Sequence, residues 1–391
     1  MMRAPGCGLD LPERTADERQ GPGPCNPIKS YRFQDRVQSA RPCWSGRCLF
    51  SSSNGRYYFD IRFGTDVYNP NIVPHPKFNN TWYIVGQLWA DDDPAVHANH
   101  FYEAGCMAQF INGALMDIAG FNLNVGPRDA RVFVGPQNPF ITFGSNSGYT
   151  CLGLWIQDFR QLVDWEYELM TNTDFKVGTA LQRPGTYFPL EKNYFLFWDD
   201  HDQMHVHQDM YPKRMFASLE RNGSTGPDLA PKAATFDEKC LTRYMPKMPP
   251  DLESIHQATN SLKITMCNRA DKKCSPHAGN TFIMAIIQHK TYYSYHSEYE
   301  PYVVLFQQRA PYELYAISKK PLWISGRKRH TGRATDMMYV TSVNWQERGV
   351  NYHGYLDDIA ILGFGYEDKG SGGIDVRACD LLVDMGPCEE P

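Results

Sequence analysis

The stretch Gly126-Pro-Arg-Asp-Ala-Arg-Val-Phe-Val sets one carboxylate, Asp129, between two guanidinium groups, Arg128 and Arg131, just ahead of an apolar run. Neighbouring positive charge favours the ionised carboxylate. The spacing therefore describes either a base kept deprotonated beside an anion or an ordinary Asp–Arg pair at the mouth of a strand. Val132-Phe-Val, a Gly-Pro-Gln-Asn-Pro turn and Phe140-Ile-Thr-Phe read as two short strands joined by a tight loop, with Asp129 leading into the first.

An acid so placed needs a frame, and the chain supplies one built mostly of short strands. Residues 56–63, 81–89, 152–156, 193–198, 205–211, 261–267, 281–289, 302–308, 337–345 and 359–366 are β-type runs separated by turn residues. Helical periodicity is convincing only near 95–120, and residues 1–30, polar and rich in Pro and Gly, read as a disordered segment. Five segments (69–89, 128–156, 191–216, 256–290 and 353–368) repeat one order: a polar cluster, a strand, a turn and a second strand. That repeat predicts an all-β fold, a five-bladed β-propeller over residues 31–391 with a helical insertion near 95–120, its polar clusters converging on one pocket.

Composition limits what the pocket could bind. The 391 residues are 42% hydrophobic and 13% aromatic, enough for a substantial core, and the net charge of −5 gives no global basic field for nucleic acid. No run reaches the roughly 18 apolar residues of a membrane span, and the chain as written starts with neither a signal peptide nor an anchor. Eleven cysteines and the glycosylation patterns Asn79-Asn-Thr and Asn222-Gly-Ser nevertheless point to a secretory lumen. Cys43-x4-Cys48 and Cys267-x6-Cys274 lack the paired spacings of structural zinc and read as local disulfides.

The polar clusters in order are Asn69-Pro-Asn-Ile, Arg128-Asp-Ala-Arg-Val, Glu191-Lys-Asn-Tyr-Phe, Pro212-Lys-Arg, Glu253-Ser-Ile-His-Gln-Ala-Thr-Asn, Gln288-His-Lys, Tyr352-His-Gly-Tyr-Leu-Asp-Asp and Phe364-Gly-Tyr-Glu-Asp. This series resembles the five-bladed propellers of glycoside hydrolase family 130, the β-mannoside phosphorylases and hydrolases, whose blades carry NPS, EDPR, EKN and PHR. It more closely resembles the fungal β-1,2-mannosyltransferases of glycosyltransferase family 91, over roughly residues 55–382. The resemblance implies an inverting β-mannosyltransferase that adds mannose from GDP-mannose to mannan acceptors in the Golgi. It implies no metal and no cofactor beyond the donor. Asp129 matches the catalytic acid of EDPR and Arg131 its arginine, whereas Arg128 and Ala130 stand where the family has Glu and Pro.

One acid suffices for phosphorolysis or synthesis, because only the glycosidic or acceptor oxygen exchanges a proton; inverting hydrolysis needs a second carboxylate. Asp357, Asp358 and Asp368 are candidates for that second group. Lys192, Lys213, Arg214, His289 and Lys290 are expected to face phosphate charge, and Asn193, Gln257 and Asn260 to bond sugar hydroxyls. The same clusters add Asn69, Glu191, His256 and His353 as substrate-binding candidates. A phosphorylase or hydrolase, and a non-catalytic glycan-binding propeller, are the alternatives.

Three further features have a bland reading beside a functional one. Asp200-His-Asp202, with His201, His205 and His207, superficially matches a metal-holding DxD but falls at a hairpin turn. The basic run 326–333 reads as an exposed loop. Tyr292, Tyr293, Trp82, Trp89 and Trp198 could stack on sugars, although packing is the default for aromatics in strands.

Overall fold

The computed structural model describes residues 47–63, 67–88, 128–163, 174–248, 253–293, 296–330, 335–349 and 351–389. The expected disordered segment 1–30 and helical insertion near 95–120 lie outside them. Strands β1 (Arg47–Leu49) and β2 (Phe59–Ile61) precede a first blade of β3 (Val67–Pro74) and β4 (Trp82–Leu88). The second blade is β5 (Arg128–Val134), β6 (Pro139–Ser145), β7 (Gly153–Asp158) and β8 (Thr179–Ala180). The third is β9 (Phe195–Trp198), β10 (Met204–Asp209) and β11 (Met215–Ser218), followed by helix α1 (Ala234–Tyr244).

The fourth blade has a divided inner edge, β12 (Glu253–Gln257) and β13 (Leu262–Thr265), then β14 (Thr281–Tyr293), β15 (His296–Gln307) and β16 (Leu314–Ser318). After β17 (Leu322–Ile324), the fifth blade runs β18 (Met338–Trp345), β20 (Ile359–Tyr366) and β21 (Gly370–Arg377), with the short β19 (His353–Tyr355) crossing to pair β13. Helix α2 (Ala378–Leu381) and β22 (Met385–Pro387) end the described chain, β22 pairing with β16. The N-terminal β2 pairs with β21, so the fifth blade is completed by the other end of the chain.

Buried side chains close the ring between blades. Asn71 donates to Ala130 O at 2.8 Å and accepts from Val132 N–H at 3.3 Å, joining the first and second blades. Stacked Phe140 and Trp198 join the second to the third. Gln257 joins the third and fourth through Gln208 O, and Asn260 joins the fourth and fifth by bonding both backbone groups of Val343. Asn344 donates to Ile72 O at 2.8 Å, returning to the first blade. Five sheets linked in a closed circuit are a five-bladed β-propeller, as the repeat predicts. The inner strands are buried on both faces, which is why β9 reads Phe-Leu-Phe-Trp without alternation.

One sequence expectation changes here. The fifth repeat begins in the wrong place: the inner strand of that blade is β18, and 353–368 starts after it, at the short crossing strand β19. Its polar cluster therefore follows the inner strand and leads into the second strand of the blade, β20. The cysteine reading holds for Cys267–Cys274, a second disulfide joins Cys240 of α1 to Cys388, and Cys48, Cys151 and Cys379 are also disulfide-bonded. Cys43 lies outside the described residues. Among those residues no helix is long and apolar enough to cross a membrane.

Candidate active site

The site begins with a repeated backbone irregularity. In β3, residues 69 and 70 oppose Gly86 alone, and in β5, residues 129 and 130 oppose Phe143 alone, so successive blades carry the same bulge near the start of the inner strand. The first residue of each bulge is left-handed: Asn69 has φ 54° and Asp129 φ 49°. Asn193, two residues before β9, has φ 64°. Asn and Asp tolerate this region better than other side chains, at a cost of about 1–3 kcal/mol each. The bulge of Asp129 is fixed from the first blade, by Asn71 on the far side and by Gln87, whose Oε1 accepts the Asp129 N–H at 3.3 Å. Asn69 is pressed on Gly365, where a Cβ would sit 2.2 Å from Asn69 Oδ1.

These junctions and the hairpin tips beside them bring charged groups from four blades together with the polar Tyr68 and Asn69 of the first. Tyr68 is pushed up to about 12 by burial and then by the charges of Asp129 and Asp368, with Arg128 opposing. Asp368 sits exposed at the tight turn between β20 and β21; its carboxyl is raised by the surrounding walls, then by Asp129 and Glu367, with Lys290 opposing. Arg131 lies over the Tyr339 ring at 5.7 Å, Tyr339 meets Tyr299 edge-on at 4.9 Å, and Lys290 Nζ is 5.8 Å from the Tyr299 ring. Burial and then the Lys290 and Lys192 charges push His256 down to about 4. Lys290 is lowered by burial and then by Lys192.

Among the described residues the Asp129 carboxylate has no hydrogen-bond or ion-pair partner. The arginines do not clamp it as their spacing suggests: Arg131 reaches the Ala130 carbonyl at 3.4 Å and the Tyr339 ring, and the Arg128 charge acts on Tyr68. Lys192 and Lys290 likewise have no acidic ion-pair partner among the described residues. The arrangement is an unencumbered acid, a second acid that holds its proton to higher pH, and a patch of positive charge facing both.

Of the residues picked from sequence, Asn69, Arg128, Asp129, Arg131, Lys192, Asn193, His256, Lys290 and Asp368 lie at this end of the propeller. The others are engaged in structural contacts or lie at the opposite end. Glu191 is buried in an ion pair with Arg183 at 2.9 Å and accepts from Tyr194 OH at 2.6 Å. Arg214 is buried against Asp237 at 2.7 Å, while Lys213 is exposed beside it. His289 is held between Glu253 and Glu300, and Gln257 and Asn260 are inter-blade braces.

His353, Asp357 and Asp358 line a cavity of about 880 Å³ at the opposite end, together with Arg269 and Trp345. Asp358 pairs with Arg269 at 2.6 Å, and Asp357 accepts the Arg269 N–H. Their cluster follows the inner strand, so the chain delivers it to the far mouth. Asp200 and Asp202 also lie at that end, paired with Arg309 and Lys263. The potential metal-ligand group among the described residues is His330, Asp336 and Glu367 instead. Sequence reasoning passed over Tyr68, Tyr299, Tyr339, Asn71 and Gln87. The available signal was Tyr68 directly before Asn69, since a tyrosine beside a left-handed Asn at a strand mouth has no core to enter.

No protein-family model matches the chain, and no curated protein matches it. Among solved structures it is similar to a β-1,2-mannobiose phosphorylase from Listeria innocua, at 12% identity and TM-score 0.36 over 86% of this chain and 90% of that one. It is also similar to a glycosyl hydrolase from Bacteroides ovatus (10%, TM-score 0.36, 86% and 92%) and to the arabinanase Arb43A of Bacillus subtilis (9%, TM-score 0.31, 79% and 93%). Likenesses this distant bear on neither substrate nor mechanism.

Proposed function

We propose that the chain is an inverting mannosyl-transfer enzyme of the phosphorylase type, in which Asp129 moves the proton and Lys192, Lys290 and His256 face a phosphate-bearing partner. The observation that carries this reading is the convergence, from the second, third and fourth blades, of a carboxylate and two lysines that have no acidic or basic ion-pair partner among the described residues. Phosphate arrives ionised, so no base is needed to activate it. Protonated Asp129 gives its proton to the departing glycosidic oxygen as the C–O bond breaks, and a phosphate oxygen bonds the anomeric carbon from the other face. The products are mannose-1-phosphate and the shortened mannoside. In reverse, the Asp129 carboxylate takes the acceptor's hydroxyl proton. Mannose itself comes from the sequence resemblance.

A GDP-mannose donor, the finer expectation from the sequence, would put its diphosphate against the same lysines and use the same base. Hydrolysis is favoured by a different observation, the raised Asp368 carboxyl beside Asp129: Asp368 would then be the acid and Asp129 the base that activates water.

The test supplies β-1,2-mannobiose with and without phosphate, and separately a mannan acceptor with mannose-1-phosphate or GDP-mannose, and analyses products. Mannose-1-phosphate appearing only with phosphate is the expected result. Free mannose regardless of phosphate would replace this reading with a hydrolase, and a new β-mannoside from GDP-mannose alone would replace it with a transferase. Silence in every arm would leave a glycan-binding propeller.

A further inference from the structure

Between the second and third blades, at the same end as Asp129, stands a set of aromatic side chains that no core covers. Phe188 is 58% exposed and Tyr149 44%, and the Tyr149 and Tyr187 rings stack at 5.6 Å and 9°. Soluble surfaces seldom present contiguous apolar rings without a use. These are also held in place. Gln182 Nε2 donates to Tyr149 Oη at 2.8 Å, the Arg183 N–H donates to Tyr187 Oη at 3.3 Å, and the Arg183 guanidinium lies 5.0 Å from the Phe188 ring.

Their footing is buried. Arg183 pairs with Glu191 at 2.9 Å and with Asp209 at 2.5 Å, and Glu191 accepts the Phe188 N–H at 2.7 Å. Thr150 Oγ1 donates to Pro189 O at 3.0 Å, and the Leu152 N–H to the same carbonyl at 3.1 Å, which binds the two loops together. Glu191 thus anchors the aromatic rim, and the two residues after it, Lys192 and Asn193, lead into the central site. On the other side, the strand that opens the Tyr149 loop pairs Gly144 with Arg128, beside Asp129. Both loops of the rim are thus continuous in chain with residues of the site.

We infer that Tyr149, Tyr187 and Phe188 form a subsite for the part of an oligosaccharide that extends beyond the reacting linkage. A pyranose ring offers an apolar C–H face and a circumference of hydroxyls. The ring of Phe188 and the two tyrosines with their hydroxyls, one of them bonded by the Gln182 amide, match both, and side chains already held in place lose less entropy on binding. The inference rests on the proposed function in one respect, that the central site holds a sugar.

The test compares β-1,2-linked mannose oligomers of two and four units by calorimetric titration, without phosphate so that no turnover occurs. Wild type is expected to bind the tetramer about tenfold more tightly, the increment of one to two aromatic contacts. Tyr149→Ala should lose that increment; if this variant does not fold, Phe188→Ser, altering a more exposed ring, gives the same readout. Equal affinity for the two lengths in wild type, or an increment that survives both substitutions, overturns the rim subsite and leaves the central site standing. Binding of neither oligomer defeats the rim subsite and the proposed function together.

Discussion

Asp129 is held in a left-handed backbone, with its carboxylate free of hydrogen-bond and ion-pair partners among the described residues. Such a group can change protonation without breaking an ion pair. His256 shows the opposite bias: faced by Lys290 and Lys192 and edge-on to Tyr299, with its Nε2 2.9 Å from Ser254 Oγ, it stays neutral down to about pH 4. Its folded pKa lies below the unfolded value near 6.5, so the unfolded chain binds the extra proton between those values. The stability it contributes is complete above about pH 6.5 and is lost as pH falls towards 4. His353, also pushed down to about 4, acts in the same direction. Urea midpoints measured from pH 7 to 4.5 should fall, and His256→Asn should flatten part of that slope; an unchanged slope in the variant would count against a desolvated His256. The acid was legible in the sequence because Arg-Asp-Ala-Arg stands out. The partner tyrosines were not, since Tyr68, Tyr299 and Tyr339 look like any strand aromatics until the ring closes.

At the level of the strand, the same bulge in β3 and β5 turns one residue towards the central site and then lets the strand resume its buried register. Asn71 belongs to this device: 0% exposed, it substitutes for the missing ladder by bonding Ala130 O and Val132 N–H. Asn71→Ala would leave the Val132 N–H without its side-chain acceptor and the Ala130 carbonyl with only the long contact from Arg131, and is expected to lower the unfolding free energy by about 1–3 kcal/mol. Denaturant unfolding measures it, and a loss below a few tenths would mean the bulge is fixed by other contacts. The sequence carried part of this: an Asx residue placed two or three positions before an apolar run marks the strand mouths at 69, 129 and 193. It did not distinguish Asn69, which leads into a strand, from Asn71, which braces one, because both sit in one tetrapeptide. Glu191, Gln257 and Asn260 were misplaced for the same reason. Polar residues near strand ends satisfy backbone between blades as readily as they face a ligand.

Across the whole molecule, the propeller sorts residues by the end to which each strand delivers them. Clusters that precede an inner strand meet Asp129; those that follow one, such as Tyr352-His-Gly-Tyr-Leu-Asp-Asp, meet the cavity at the opposite mouth. The five-fold repeat was legible, and so was the fold. The assignment of Asp357 and Asp358 depended on knowing which strand of the fifth blade is innermost, and the charged run ahead of β18, residues 326–336, reads as an exposed loop and does not say so. Closure by β2 was equally hidden, since only the register of Phe59–Ile61 on Ser371–Gly373 reveals it. The account stands on Asp129 as the group that moves the proton. The direct measurement is phosphate-dependent release of mannose-1-phosphate from β-1,2-mannobiose by wild type and Asp129→Asn, with thermal melting to confirm an intact fold. A loss of about 10²–10⁴-fold is predicted, the contribution of a positioned acid; an Asp129→Asn protein that turns over at the wild-type rate would contradict the account.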